Sequence, residues 1–174
     1  VNPPTVSNAE ISFLCDKCPP GRITNSPNVD TTCVACIKGT YQDEVGQFIC
    51  KSCTSGKWSN VSGLFVASGC VDCEAGKYSS PKGAESIKAC VDCPPGRKGD
   101  VSTIGADDAN SCTECDNAKF SNQSGSTSCM NVEPGYEREP SGTIQVKCAA
   151  GKAGAGGSSK CKDCDAGKKA ETPG

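Results

Sequence analysis

Histidine is absent from all 174 residues, which removes Ser-His and Cys-His catalysis, the usual pH switch and His-containing metal sites in one step. Large apolar residues are scarce as well. Val, Ile, Leu and Phe together number 25, fewer than a globular domain of this length uses to build a core. Charge of one sign is also lacking: 18 Lys and Arg stand against 20 Asp and Glu, with a pI near 5.2, so no basic field is present to hold nucleic acid. No apolar run approaches the ~18 residues of a membrane span, and no signal-peptide pattern opens the chain. The first residue is Val1 rather than Met, and a processed or excised piece is the expectation.

What the chain has is cysteine, 16 residues of it, together with 20 Gly and 11 Pro. Cysteine at this density, rather than buried aliphatic surface, organises the fold. If oxidised, it belongs to the secretory pathway, the cell surface or the extracellular space, because cytosolic thiol pools would keep it reduced. Sequons at Asn60 and Asn122 are compatible with that compartment and mark expected N-glycosylation sites. Asn110-Ser111-Cys112 is a lesser candidate, since its cysteine is needed elsewhere.

The cysteines are periodic, and the period defines the organisation. Cys-x-x-Cys pairs occur at Cys15/Cys18, Cys33/Cys36, Cys50/Cys53, Cys70/Cys73, Cys90/Cys93, Cys112/Cys115 and Cys161/Cys164, with single cysteines at Cys129 and Cys148. Aligned on the second cysteine, glycine follows three residues later at Gly21, Gly39, Gly56, Gly76, Gly96, Gly151 and Gly167. Gly135 fits the same column, with Val132 standing where the cysteine belongs; Ala118 is the exception. Two residues further comes an aromatic at Tyr41, Trp58, Tyr78 and Phe120, and a second glycine recurs at Gly46, Gly63, Gly83, Gly105, Gly125 and Gly142. Nine such units begin within the chain.

Each unit reads as a small hairpin: a strand such as Lys77-Tyr78-Ser79, a glycine turn with positive φ, and a return strand into the next cysteine. Such a hairpin is unstable alone, so the units must stack. The fold class expected is therefore small and disulfide-rich, with tandem short β-hairpins stacked into an elongated rod and little or no helix. Units touching only their neighbours would make a quasi-one-dimensional solenoid. The divisions are residues 1–14 as an N-terminal strand or linker, with Ala9–Leu14 alternating like an unpaired strand, 15–128 as regular repeats, 129–160 as degenerate repeats, and 161–174 as an unfinished last repeat. The aromatics are expected to cover a disulfide or pack on a neighbour, with a carbohydrate-stacking platform as the alternative.

A defect hints at the pairing. In the seventh unit both Val132, at the opening position, and Gln145, at the closing one, lack cysteine. If the second cysteine of each pair bonds the first of the next, these two are partners, and one bridge has vanished without leaving an orphan. The bridges would be Cys18–Cys33, Cys36–Cys50, Cys53–Cys70, Cys73–Cys90, Cys93–Cys112, Cys115–Cys129 and Cys148–Cys161, with Cys15 and Cys164 left unpaired or joined between protomers. Two other accountings stay open. Bridges within each Cys-x-x-Cys, with Cys129 meeting Cys148, also leave no orphan, although they staple little and resemble redox sites without a thioredoxin-like setting. Four Cys₄ zinc sites (Cys15 to Cys36, Cys50 to Cys73, Cys90 to Cys115, then Cys129, Cys148, Cys161 and Cys164) use all sixteen.

Cys73-Glu-Ala-Gly76-Lys-Tyr78-Ser-Ser, Gly83-Ala-Glu-Ser, Cys90-Val-Asp-Cys93-Pro-Pro-Gly96 and the stretch from Cys115 through Phe120 and Gly125 to Cys129 resemble the ephrin-receptor-like cysteine-rich repeat. The unit is also similar to the first loop of a tumour-necrosis-factor-receptor cysteine-rich module, a similarity that supports the second-to-first bridge pattern. The resemblance covers residues 15 to 174. It implies an extracellular or cell-surface protein without cofactor, and it spans receptors, adhesins, coat antigens and filaments alike.

Smaller features complete the reading. Acidic residues inside the spacers (Asp16, Asp72, Asp92, Glu114, Asp163) and basic ones after the glycine (Arg22, Lys57, Lys77, Arg97, Lys152, Lys168, with Lys119 in the same column) suggest ion pairs between neighbouring repeats or a solvated face. Asp107-Asp108 reads as turn chemistry rather than a calcium loop. Trp58 with Leu64-Phe65-Val66 is the one cluster that breaks the pattern, and it reads either as a binding patch or, more commonly for such a cluster, as the best-packed repeat. No nucleophile has a base beside it, so no enzyme is expected. The function expected is a glycosylated extracellular structural rod that self-associates head to tail into a filament, coat or appendage; a receptor or adhesin ectodomain is the alternative.

Overall fold

The computed structural model describes residues 16–25, 32–102, 104–157 and 160–170. The expected strand over Ala9–Leu14, Cys15 and residues 171–174 lie outside them. Among the described residues the chain forms eight two-stranded antiparallel hairpins. In order they pair Arg22–Ile23 with Val34–Ala35, Thr40–Tyr41 with Lys51–Ser52, Lys57–Trp58 with Val71–Asp72, and Lys77–Tyr78 with Val91–Asp92. Next come Arg97–Gly99 with Cys112–Glu114, Lys119–Phe120 with Met130–Asn131, Tyr136–Arg138 with Gln145–Lys147, and Lys152–Ala153 with Lys162–Asp163. The only helical elements described are three-residue 3₁₀ turns at Ala67–Gly69, Ile87–Ala89 and Ala109–Ser111. The fold is thus the small, disulfide-rich stack of hairpins that the repeat implies. Each repeat is numbered here from its second cysteine, so the third starts at Cys53 and the seventh at Val132.

Seven disulfides run Cys18–Cys33, Cys36–Cys50, Cys53–Cys70, Cys73–Cys90, Cys93–Cys112, Cys115–Cys129 and Cys148–Cys161. Five join the second cysteine of one pair to the first of the next, Cys115 and Cys161 bond the single cysteines Cys129 and Cys148, and each bridge closes one hairpin over a sequence separation of 13 to 19. In the chain-entropy account, a closed loop near 15 residues contributes roughly 3 kcal/mol. The core is correspondingly sulfurous: Cys18, Cys36, Cys53, Cys73, Cys93 and Cys112 are buried, joined by Leu64, Ala84, Phe120 and Val132. With so little aliphatic surface inside, loop closure supplies what a thin core lacks.

Backbone hydrogen bonds carry the stacking. Where the third repeat meets the fourth, the Gly56 N–H donates to the Ser79 carbonyl (2.7 Å), the Ser59 N–H to the Ala84 carbonyl (3.0 Å), and the Gly83 N–H back to the Cys53 carbonyl (2.8 Å). The same three positions bond the second repeat to the third, through Gly39 with Ser59, Gln42 with Leu64, and Gly63 with Cys36. No strand is added across these junctions, so every hairpin remains a separate sheet. Elongation follows: the chain exposes 11648 Å², whereas a compact protein of 17.8 kDa would expose about 8,000 Å².

Repeats touch more than their neighbours. A Cβ placed on Gly56 would collide with the carbonyl oxygen of Gly105, two repeats away, and one on Gly39 would meet that of Gly83. Gly56 also holds φ at +79°, a region L-residues rarely adopt. The contact pattern expected from a simple nearest-neighbour solenoid is corrected accordingly. The hairpins are so short that the glycine turn of one repeat reaches over its neighbour to the mid-repeat turn of the next.

Candidate functional site

Chemistry-bearing side chains are spread along the stack rather than gathered in one cleft. Three of the aromatic positions join their repeat to the next through the backbone. Tyr41 makes a parallel bridge with Leu64 and packs on the buried cluster of Cys53, Leu64 and Cys70. Trp58 and Tyr78 repeat the arrangement one and two units on, bridging Ala84 and Ala106. Tyr41 thus covers the next repeat and its Cys53–Cys70 disulfide. On the hairpin itself Trp58 lies across from Val71, Tyr78 from Val91 and Phe120 from Met130. Val71, Val91 and Met130 are about half exposed and leave an apolar residue on the surface of each of these hairpins.

The cluster of Trp58, Leu64, Phe65 and Val66 is divided by the fold. The Trp58 backbone bridges Ala84 of the fourth repeat and Leu64 packs with Tyr41 of the second, while Phe65 and Val66 are exposed. Phe65 lies against Gly21 of the first repeat.

The ion pairs form across single hairpins. Lys57 pairs with Asp72, Lys77 with Asp92, Arg97 with Glu114 (2.7 Å) and Lys152 with Asp163 (3.1 Å). The suggestion of pairs between neighbouring repeats is corrected: the two-residue strand places the residue after the glycine directly opposite the second spacer residue. These groups are partly exposed, so each pair contributes at most about 1 kcal/mol. Arg22 faces Ala35 instead of an acid, and its guanidinium donates to the Cys33 carbonyl (3.0 Å). Lys168 turns to Asp165 (3.3 Å). In the second repeat the Lys51 ammonium lies 2.7 Å from both Asp43 and Glu44. That hydrogen bond from Lys51 holds the Asp43 carboxyl below its usual range, and its acidic partners raise Lys51. The Ser102 N–H and hydroxyl likewise lower Asp100. Asp108 accepts from the N–H groups of Asn110 and Ser111, the turn chemistry expected of it.

Asn60 and Asn122 are both exposed and occupy the same position in their repeats, one residue after the buried Ser59 and Ser121. Asn110 is held differently: its side-chain amide donates to Asp108 (3.2 Å), and Cys112 of its sequon is bonded to Cys93. Cys164 is a half-buried free thiol, and Cys15 lies outside the described residues. Fourteen of the cysteines are disulfide-bonded, which takes them out of the Cys₄ zinc sets that the spacing also allowed. No group of three or more His, Cys, Asp or Glu able to hold a metal occurs among the described residues.

Sequence reasoning missed Arg138. Half-buried in the seventh hairpin, it reaches into the sixth repeat, where Nε donates to the Lys119 carbonyl (2.9 Å) and Nη2 to the Cys115 carbonyl (3.4 Å). The only signal was an arginine in the column where three other repeats carry a buried serine, Ser59, Ser79 and Ser121.

Among the described residues no helix is long and apolar enough to cross a membrane. No curated protein matches the chain. A family described as tyrosine-protein kinase ephrin type A/B receptor-like matches residues 26–64, the stretch that spans the second repeat with its Cys36–Cys50 bridge. The same hairpin, glycine turn and second-to-first bridge recur on both sides of that stretch. The protein is therefore a ladder of cysteine-rich repeats of extracellular type, with its ephrin-receptor-like match at residues 26–64.

Proposed function

We infer that the protein is a non-enzymatic structural rod of a cell surface or extracellular assembly, glycosylated at Asn60 and Asn122, that associates head to tail into a filament, coat or appendage. The observation carrying this reading is the way one repeat is received by the next. In the first, second, third, fifth and seventh hairpins a glycine N–H donates to the following repeat, whose mid-repeat glycine donates back. Around Gly151 and Gly167 no described atom lies within 4 Å of the Cβ position, so the same surface faces open space there. A further repeat fits it, whether supplied by the same chain or by a second copy. A heterologous contact of this kind propagates along one axis.

The test is the size of the oxidised protein across a concentration series, with gels run with and without reductant. Growth with concentration supports the reading, and multimers that survive detergent but not reductant add bridges through Cys15 or Cys164. A monomer at every concentration contradicts self-association. The exposed Phe65 and Val66 favour a second reading, an adhesin or receptor ectodomain. Capture of a soluble ligand that is lost on Trp58→Ala would establish it in place of the first.

A further inference from the structure

The disulfides fix where the chain is able to lengthen. Between Cys18 and Cys129 six bridged loops follow one another with only two residues between each pair of loops. Tension along this part is carried by sulfur as well as by backbone. From Cys129 to Cys148 the case is different, because Val132 and Gln145 occupy the two bridging positions and no disulfide shunts residues 130–147.

Non-covalent contacts stand in for the missing bridge. Val132 is buried where the half-cystine belongs, and the Gln145 side chain reaches back to accept the Glu133 N–H (2.8 Å). Toward the sixth repeat the backbone junction is depleted. The Ser121 N–H still donates to the Gly142 carbonyl (3.0 Å), but the Gly142 N–H turns inward to Glu139 (2.9 Å). The Cys115 carbonyl that this glycine would have reached receives Arg138 instead. Toward the eighth repeat the Gly157 N–H donates to the Val132 carbonyl (2.8 Å) and the Cys161 N–H to the Glu137 carboxylate (2.9 Å).

We propose that residues 130–147 are a yielding joint: the stretch between Cys18 and Cys161 that opens as a unit without thiol chemistry, lengthening the molecule while every disulfide stays intact. Arg138 is its latch, a positioning group rather than a bridge. Opening frees the chain from Cys129 to Cys148, which at ~3.4 Å per residue reaches at most about 65 Å. The proposal rests on covalent topology and needs no partner, so it stands or falls separately from head-to-tail assembly.

Single chains held by their ends in oxidising buffer and stretched provide the test, with wild type compared against Val132→Cys/Gln145→Cys. Wild type is expected to give one lengthening step within the 65 Å ceiling. The double variant, its new bridge verified by loss of both added thiols, is expected to lack that step. Persistence of the step in the bridged variant, or its absence from wild type, overturns the proposal. If the added cysteines stay reduced, Arg138→Ala decides instead through thermolysin digestion of the non-reduced protein. Loss of two hydrogen bonds is expected to speed separation of the two halves between Cys129 and Cys148 about tenfold. An unchanged rate overturns the proposal equally.

Discussion

The third and seventh repeats share one backbone plan and hold it by different means. The third closes through Cys53–Cys70, seats Leu64 against that bridge, and shares four backbone hydrogen bonds with the fourth, two donated and two accepted. The seventh has no bridge, buries Val132 in its place, and keeps two main-chain bonds with the sixth, from the Ser121 N–H to the Gly142 carbonyl and from the Val132 N–H to the Ala118 carbonyl, with Arg138 supplementing them. Yet both present antiparallel strands, and both have a positive-φ glycine at the same column, Gly56 and Gly135. The comparison teaches that glycine turns and inter-repeat hydrogen bonds set the shape of a repeat. The disulfide locks that shape without dictating it.

If so, removing a lock should cost stability and spare architecture. Cys53→Ser/Cys70→Ser is expected to destabilise the protein by about 4 kcal/mol, combining lost loop closure with the burial of hydroxyls in an apolar site. Chemical denaturation measures the loss, while far-ultraviolet dichroism should remain that of a hairpin stack.

Gly56→Ala attacks the shape itself. The added methyl meets the Gly105 carbonyl while φ stays positive, and about 2–3 kcal/mol of destabilisation is expected. Because Gly56 and Gly105 belong to the third and fifth repeats, faster hydrogen exchange should appear in both. Exchange confined to the third repeat would mean that the second-neighbour contact carries no energy.

The surface pairs are expected to matter least. Lys77→Ala removes the partner of Asp92 at a cost under about 0.5 kcal/mol, and high salt should erase the difference. Acid titration gives a still smaller effect at Asp43. Its carboxyl is lowered from 3.8 by Lys51, so the folded state binds its proton less readily than the unfolded one. The associated stability is present above about pH 4 and is lost as pH falls through the folded pKa. The acid limb of a stability–pH curve should therefore flatten slightly in Lys51→Ala.

Much of this fold is written in the column pattern. The strand, the glycine turn and the absence of long helix follow from Cys-x-x-Gly-x-aromatic spacing and from Gly and Pro density, and the ephrin-receptor-like resemblance lies in the same residues. The bridge connectivity was one of three accountings that the spacing allowed. The second-neighbour packing was not legible, because Gly56 and Gly105 each read as an independent turn and only the stack brings them together. The burial of three serines was not legible either. Ser59, Ser79 and Ser121 look like solvent-facing strand ends, but their backbone enters the next repeat and buries the side chain. Arg138 stands in the same column as these serines, six residues after Val132, but its reach back to the Cys115 and Lys119 carbonyls depends on the stack and is not written in the spacing.

The most direct test of the ladder is peptide mapping of the protein digested without reduction. The account predicts seven linked pairs, each joining the second cysteine of one Cys-x-x-Cys to the first cysteine of the next unit, with Cys148 linked to Cys161 and the peptide carrying Val132 through Gln145 unlinked to any other. Bridges within single Cys-x-x-Cys pairs, or sixteen free thiols released together with zinc on denaturation, would contradict it.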